Sequence, residues 1–274
     1  VTFSRAGYAP QTIEIKVSAD KNTFTRITMK ESVIELDDVV IDARKQEKQT
    51  KVSTAVVQLN PKSIGTFSIG GEPDLVRALQ VMPGVITTGD QGGQLYIRGG
   101  APIQNLVKLD GMILYNPFHS IGFFSVFETD ILQSADIYTA GFGAEYGGRT
   151  SSVMDIRTRT GRRDRISGKV SASTYLAKAL LEVPIGRKKN GIAPSSLLVS
   201  FKESLLDQAA PIFYPYVATE YDGLPFEFRD LFSKYTLETN GGNKLNIFGF
   251  NFSDAVRFAG GKSIAWNSVG YGTD

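Results

Sequence analysis

Two arginines set beside paired glycines hold the most suggestive chemistry in the chain. Arg98 immediately precedes Gly99-Gly100, and Arg149 immediately follows Gly147-Gly148. A guanidinium at a tight turn can make a two-pronged, charge-assisted contact with a carboxylate. The plainer reading is that each caps its turn or meets a nearby acid. The glycine pairs resemble phosphate cradles only superficially, because a phosphate loop opens a helix and usually carries a lysine. Here Ala101-Pro102 and Arg149-Thr150 lead into strands or loops, so turn glycines are the better reading.

The remaining reactive groups exclude more than they suggest. Asp110, Glu128, Asp130, Asp136, Glu145 and Asp155 show no spacing that pairs two of them for glycoside hydrolysis. With a single histidine, His119, and no cysteine, the chain lacks a thiolate metal site, a disulfide framework, a cysteine nucleophile and most histidine-based acid–base schemes. His119 lies in Asn116-Pro117-Phe118-His119-Ser120 and reads as an ordinary loop residue, with ligand contact as the second reading. Arg157, Arg159, Arg162, Arg163 and Arg165 form a basic cluster that reads as a solvated rim, with lipid head-group contact second. A formal charge of +2 does not imply nucleic acid. No catalytic residue, cofactor or metal site is expected.

Length and texture frame these groups. The 274 residues allow one to three domains, and 42% apolar content with 28 glycines suits a folded, β-rich chain. No apolar run approaches a membrane helix, and Val1-Thr2-Phe3 has neither the basic nor the apolar region of a secretory signal. Without an initiator methionine, the sequence is expected to be an internal piece of a longer precursor. Residues 1–30 hold two alternating strands around the polar turn Asp20-Lys21-Asn22, too few to bury a core alone. Residues 31–51 run from Leu36-Asp37-Asp38-Val39-Val40-Ile41-Asp42-Ala43 into a charged stretch, which by itself reads as an edge strand and linker. In residues 52–161, a helix is expected over 73–82, with Leu75, Leu79 and Met82 on one face and Pro83-Gly84 as its stop. A second short helix is expected around 127–132, before a strand over 136–139.

From about residue 164 the strands lengthen. Leu197, Val199 and Phe201 oppose Ser200 and Lys202, while Leu181, Val183 and Ile185 oppose Lys178 and Glu182. Likewise Phe248, Phe250 and Phe252 oppose Gly249, Asn251 and Ser253. A soluble sandwich would alternate in the same way, but the aromatic strand ends at Phe226, Phe228, Tyr235 and Tyr271 suit a transmembrane barrel better, with about six strands, an apolar outside and a polar lumen. An open sheet edge is not tolerated in hydrocarbon, so the remaining strands must come from further sequence.

Three motifs in order carry a family resemblance: Ile97-Arg98-Gly99-Gly100, the hairpin from Val107-Lys108-Leu109-Asp110-Gly111 to Tyr115-Asn116-Pro117, and Tyr146-Gly147-Gly148-Arg149 running on to Asp155-Ile156. The stretch resembles the plug domain of TonB-dependent outer-membrane receptors. The resemblance implies a mixed α/β plug inside a transmembrane antiparallel β-barrel, of which only the first strands are present. Residues 1–30 resemble the end of a carboxypeptidase-regulatory-like β-sandwich, and residues 31–51 a linker with a TonB box. Residues 52–161 would be the plug and 162–274 the first strands of the barrel. On this reading Leu36, Asp37, Asp38, Val39, Val40 and Ile41 bind TonB by adding a strand to its sheet. Arg98 and Arg149 pair with barrel carboxylates and hold the plug shut, and Asn116, Phe118 and His119 face an extracellular ligand of unknown class.

The implied activity is energised import across the outer membrane of a Gram-negative cell, with no enzyme chemistry and the amino-terminal part in the periplasm. Implied partners are TonB, the ligand and outer-membrane lipid, with a surface lipoprotein or an outer-membrane complex left open. A structural subunit of an export or assembly machine that keeps a receptor-like plug is the alternative. A signal transducer and a soluble adhesive module are more distant ones.

Overall fold

The computed structural model describes residues 2–3, 10–14, 26–30, 56–69, 72–87, 94–119, 122, 124–213, 226–239, 241–258 and 262–274. The TonB-box-like segment and the polar turn Asp20-Lys21-Asn22 lie outside them. The chain forms two compact units, Val1–Val52 and Ser53–Asp274. In the first, strands β1 (Thr2–Phe3) and β2 (Gln11–Thr12) pair antiparallel.

The second unit begins with β3 (Val56–Leu59), the single turn α1 (Pro61–Ile64), β4 (Ser68–Ile69) and β5 (Glu72–Pro73). Helix α2 (Leu75–Gln80) starts two residues later than Pro73, because Asp74 caps it. The Asp74 carboxylate accepts from the backbone N–H groups of Val76 at 2.8 Å and Arg77 at 3.2 Å, donors that a helix start leaves orphaned. Strands β6 (Val85–Thr87) and β7 (Leu95–Ile97) then pair. They are followed by β8 (Asn105–Leu109), β9 (Met112–Ile113), β10 (Phe118–His119), β11 (Phe124–Ser125), β12 (Leu132–Tyr138) and β13 (Ser152–Thr158). The short helix expected near 127–132 is a 3₁₀ turn, Thr129–Ile131, running directly into β12.

A five-stranded sheet in the order β3-β12-β13-β8-β9 organises this part, with β8 and β13 parallel and the other pairs antiparallel. The β8–β9 hairpin turns on Asp110 and Gly111, both in the left-handed region (φ 47° and 85°), which Asp tolerates and Gly favours.

The remainder is a six-stranded antiparallel meander: β14 (Ser167–Ala172), β15 (Leu176–Ile185), β16 (Ser195–Ser204), β17 (Phe226–Glu238), β18 (Lys244–Phe258) and β19 (Lys262–Thr273). Helix α3 (Leu206–Phe213) sits in the long connection between β16 and β17. No described helix is long and apolar enough to cross a membrane, which says nothing about strands.

One face of the meander carries Leu181, Ile185, Leu231, Ile247 and Tyr271, all exposed. The other packs on the five-stranded part, and there the expected phase of β18 is corrected. Phe248, Phe250 and Phe252 point inward, at 3%, 6% and 4% exposure, and join one apolar core with Leu109, Leu114 and Val126. Phe228 also points inward and is buried, so it is not part of an outer aromatic belt. The physical reason is that this face of the meander meets a packed protein surface instead of water, so apolar side chains are stable on it.

Candidate functional site

The face between the five-stranded part and the meander is apolar at its centre and ionic around it. Aligned register places Lys169, Lys178, Lys202 and Lys234 on the inner face of β14 to β17, one per strand, each against a carboxylate. Lys169 Nζ lies 2.8 Å from both Asp130 oxygens. Lys178 reaches Glu72 at 2.7 Å and Glu128 at 3.4 Å. Lys234 donates to Asp110 Oδ2 at 3.2 Å and to Thr158 Oγ1 at 3.1 Å, while Thr158 N–H donates to Asp110 Oδ1 at 2.9 Å. Asp110 thus serves the hairpin turn and the contact to the meander together. Lys169 is exposed, but Lys178, Lys202 and Lys234 are largely buried, and buried charges of this kind persist only when paired, because desolvation of either partner alone is costly.

Two contacts run with the opposite polarity. Arg159 makes a bidentate pair with Glu182, at 2.8 Å to each oxygen, and Glu182 also accepts from the Arg162 N–H at 2.8 Å. His119 is completely buried and bridges two strands of the meander. Its Nε2 lies 2.7 Å from Asp230 Oδ2 and its Nδ1 2.8 Å from Asp254 Oδ2. Its ring stacks on Phe228, 4.3 Å between centroids and 7° from parallel, with Phe252 edge-on. Lys202 closes the group, 3.0 Å from Asp230 Oδ2, and donates to the Ser125 carbonyl at 2.9 Å. Burial alone would pull the His119 pKa down. The Asp230 charge and hydrogen bond, with the Asp254 hydrogen bond, outweigh burial and the opposing Lys202, and hold it above the usual value.

These contacts correct the reading of His119 as an ordinary loop residue. In this conformation it faces the meander and is closed to a ligand. Asn116 is exposed and Phe118 half-buried. Both line a groove of about 390 Å³ that also holds Tyr115, Ile113, Ile103 and Arg149. Arg98 adopts a left-handed backbone (φ 48°), donates its N–H to the Gly84 carbonyl at 2.8 Å and is exposed. Among the described residues, neither Arg98 nor Arg149 makes an ion pair. The contacts that join the two parts here are made instead by Arg159, His119 and the four lysines.

The alternation in the sequence already set Lys178, Glu182 and Lys202 on the inner face. The same two-residue period through Phe228, Asp230, Phe232, Lys234 and Thr236 could have found Asp230 and Lys234. Nothing local pointed to their partners. The motif around Tyr146 has a separate structural use: its hydroxyl donates to Asp155 Oδ2 at 3.1 Å, and Arg157 pairs with the same oxygen at 3.3 Å. Burial, followed by the neighbouring Tyr138 and Asp155, pushes the Tyr146 pKa well up. No group of acidic or histidine side chains among the described residues is arranged to hold a metal ion.

Comparison with known proteins adds to this geometry. Residues 48–153 match the family described as TonB-dependent Receptor Plug Domain. Among solved structures, a variant of the ferric enterobactin receptor PfeA of Pseudomonas aeruginosa is similar over 78% of this chain and 35% of its own, with 16% identity and a TM-score of 0.51. The siderophore receptor PirA of the same organism is similar over 80% of this chain and 42% of its own, with 16% identity and a TM-score of 0.47. The chain therefore spans well under half the length of these receptors. No curated protein matches the sequence.

Proposed function

We propose, on the premise that this chain belongs to the TonB-dependent receptors through its plug at residues 48–153, that it is the amino-terminal part of an outer-membrane importer. Like its family, it is not an enzyme. The observation that carries the reading is the ionic and apolar seam between the plug and the six-stranded meander. A soluble β-sandwich would join its layers mainly through apolar side chains. Here one lysine per strand on four strands reaches the plug, Lys169, Lys178 and Lys234 at plug carboxylates and Lys202 at the Ser125 carbonyl, while the opposite face exposes apolar side chains. That is the polarity of a barrel wall around a stopper.

On this reading the meander is the first part of the wall, lying in the outer membrane, with further strands supplied by the rest of the protein. The long connection bearing α3 faces outward and the turns at 186–194 and 239–243 face the periplasm. A ligand of unknown class enters from outside and meets the plug groove at Asn116 and Phe118. The segment Leu36-Asp37-Asp38-Val39-Val40-Ile41 pairs with TonB by strand addition and transmits a pull to the plug. Arg98 and Arg149 face wall carboxylates contributed by strands beyond this chain and complete the closure begun by Arg159 and His119. The test is deletion of residues 36–43 in the full-length protein, followed by ligand binding and energised uptake in cells. Binding should persist and uptake should be lost. Undiminished uptake would remove the import mechanism and favour a structural subunit of an outer-membrane complex.

A further inference from the structure

We propose that the periplasmic rim of the wall is a docking surface for anionic phospholipid head groups of the inner leaflet. The proposal rests on the membrane-wall reading above. Two segments meet at this end of the meander, residues 161–166 before β14 and residues 186–193 between β15 and β16. Together they carry Arg162, Arg163, Arg165, Arg187, Lys188 and Lys189 against one carboxylate, Asp164.

The two segments are stitched to each other. The Ala193 N–H donates to the Arg163 carbonyl at 2.9 Å, and Lys188 Nζ donates to the Asp164 carbonyl. Lys189 and Ile192 exchange backbone hydrogen bonds at 2.9 and 3.1 Å, which closes the second segment into a tight loop. Arg163 is engaged with Glu238 at 3.0 Å, while Arg162, Arg165, Arg187, Lys188 and Lys189 are exposed.

Apolar side chains sit directly beside this charge. Ile185 continues the outward phase of β15, and Ile166 immediately precedes β14; they are 38% and 68% exposed. Ile192, in the loop itself, is 50% exposed. Exposed cations carried on a stitched backbone next to outward apolar side chains match a bilayer boundary, where phosphates lie just beyond the acyl chains. A purely solvated rim would need neither the stitching nor the isoleucines. The recognised chemistry is the phosphate monoanion of a lipid such as phosphatidylglycerol.

The test uses the full-length protein in nanodiscs containing phosphatidylcholine with a minor fraction of phosphatidylglycerol. The amount of each lipid retained by the protein is read by native mass spectrometry. A basic residue near an anionic surface is worth about fivefold in binding, so the wild-type protein should retain phosphatidylglycerol well above its bulk fraction. The variant with Arg187→Gln, Lys188→Gln and Lys189→Gln should lose that enrichment by at least about fivefold, as should the wild type in high salt. Equal enrichment in the variant and the wild type overturns the docking surface and leaves the membrane reading intact. Failure of the wild-type protein to insert into any bilayer overturns both.

Discussion

Replacing His119 with alanine should open the plug far more often while leaving the wall folded. The imidazole is fully buried and bonded at 2.7 and 2.8 Å to carboxylates on two different wall strands. Breaking a buried ionic contact by deleting one partner costs about 3–5 kcal/mol. Lys202 remains beside Asp230 and softens the loss there, whereas removal of the ring also ends the stack on Phe228, worth about 0.5–1.5 kcal/mol. A net cost of about 3 kcal/mol follows, which multiplies the population of opened plug by about 100. Hydrogen–deuterium exchange on the full-length protein reads that population directly in residues 105–138, where opening is local and faster than global unfolding. Exchange there should rise by about two orders of magnitude, with little change in β15 to β17. A change of less than a factor of two would refute the claim that this histidine holds plug to wall. A companion set, His119→Phe with Lys202→Met, Asp230→Leu and Asp254→Leu, removes the charges of the group together and should recover much of the loss, since apolar replacements of buried ionic groups are often neutral.

Other outcomes follow from the same geometry. Because the folded-state pKa of His119 is raised, its stabilisation is fully present below its unfolded pKa of about 6.5 and fades as pH rises through the folded value; plug unfolding midpoints should fall on the alkaline side, and His119→Gln should flatten that dependence. Arg159→Ala should destabilise plug docking by about 1–3 kcal/mol in chemical denaturation, reduced by the partial exposure of Arg159, and Arg159→Lys should recover only part because the second prong is lost. Asp74→Ala removes the cap of α2 and the acceptor for the Ser125 N–H at 2.7 Å, and should lower plug stability by about 1–2 kcal/mol, read by thermal unfolding. Gly100→Ala should weaken the turn after Arg98, since an added Cβ would lie 2.2 Å from Ser151 Oγ and 2.4 Å from its Cβ; an unchanged melting temperature would contradict that clash.

What could be read in the sequence was what local chemistry determines. The β8–β9 hairpin was legible because Asp110 and Gly111 carry the left-handed backbone that such a turn needs. Arg98 and Arg149 stood out for their glycine neighbours, yet the visible contacts between plug and wall run through other residues. His119 was passed over because its partners lie 111 and 135 residues away, at positions no periodicity links to it. The start of α2 was misplaced by two residues because Pro73 suits a first helical turn, whereas Asp74 caps the helix and also binds the Ser125 N–H. The phase of β18 was misread because a wall that encloses water and one that encloses protein obey different rules, and the alternation alone does not say which is enclosed.

The inward phenylalanines bear on how such a gate can open. Phe232, Phe248, Phe250 and Phe252 are shielded from water only while the stopper lies against them. Baring a side chain of this kind costs about 1.5–3 kcal/mol, so extracting the whole globule would wet a greasy stripe as well as strand several charges. An opening that peels away a flank and leaves this side dressed avoids most of that expense. Under the proposed function, a passage is then expected on a side of the plug away from this seam, such as the groove lined by Tyr115 and Arg149.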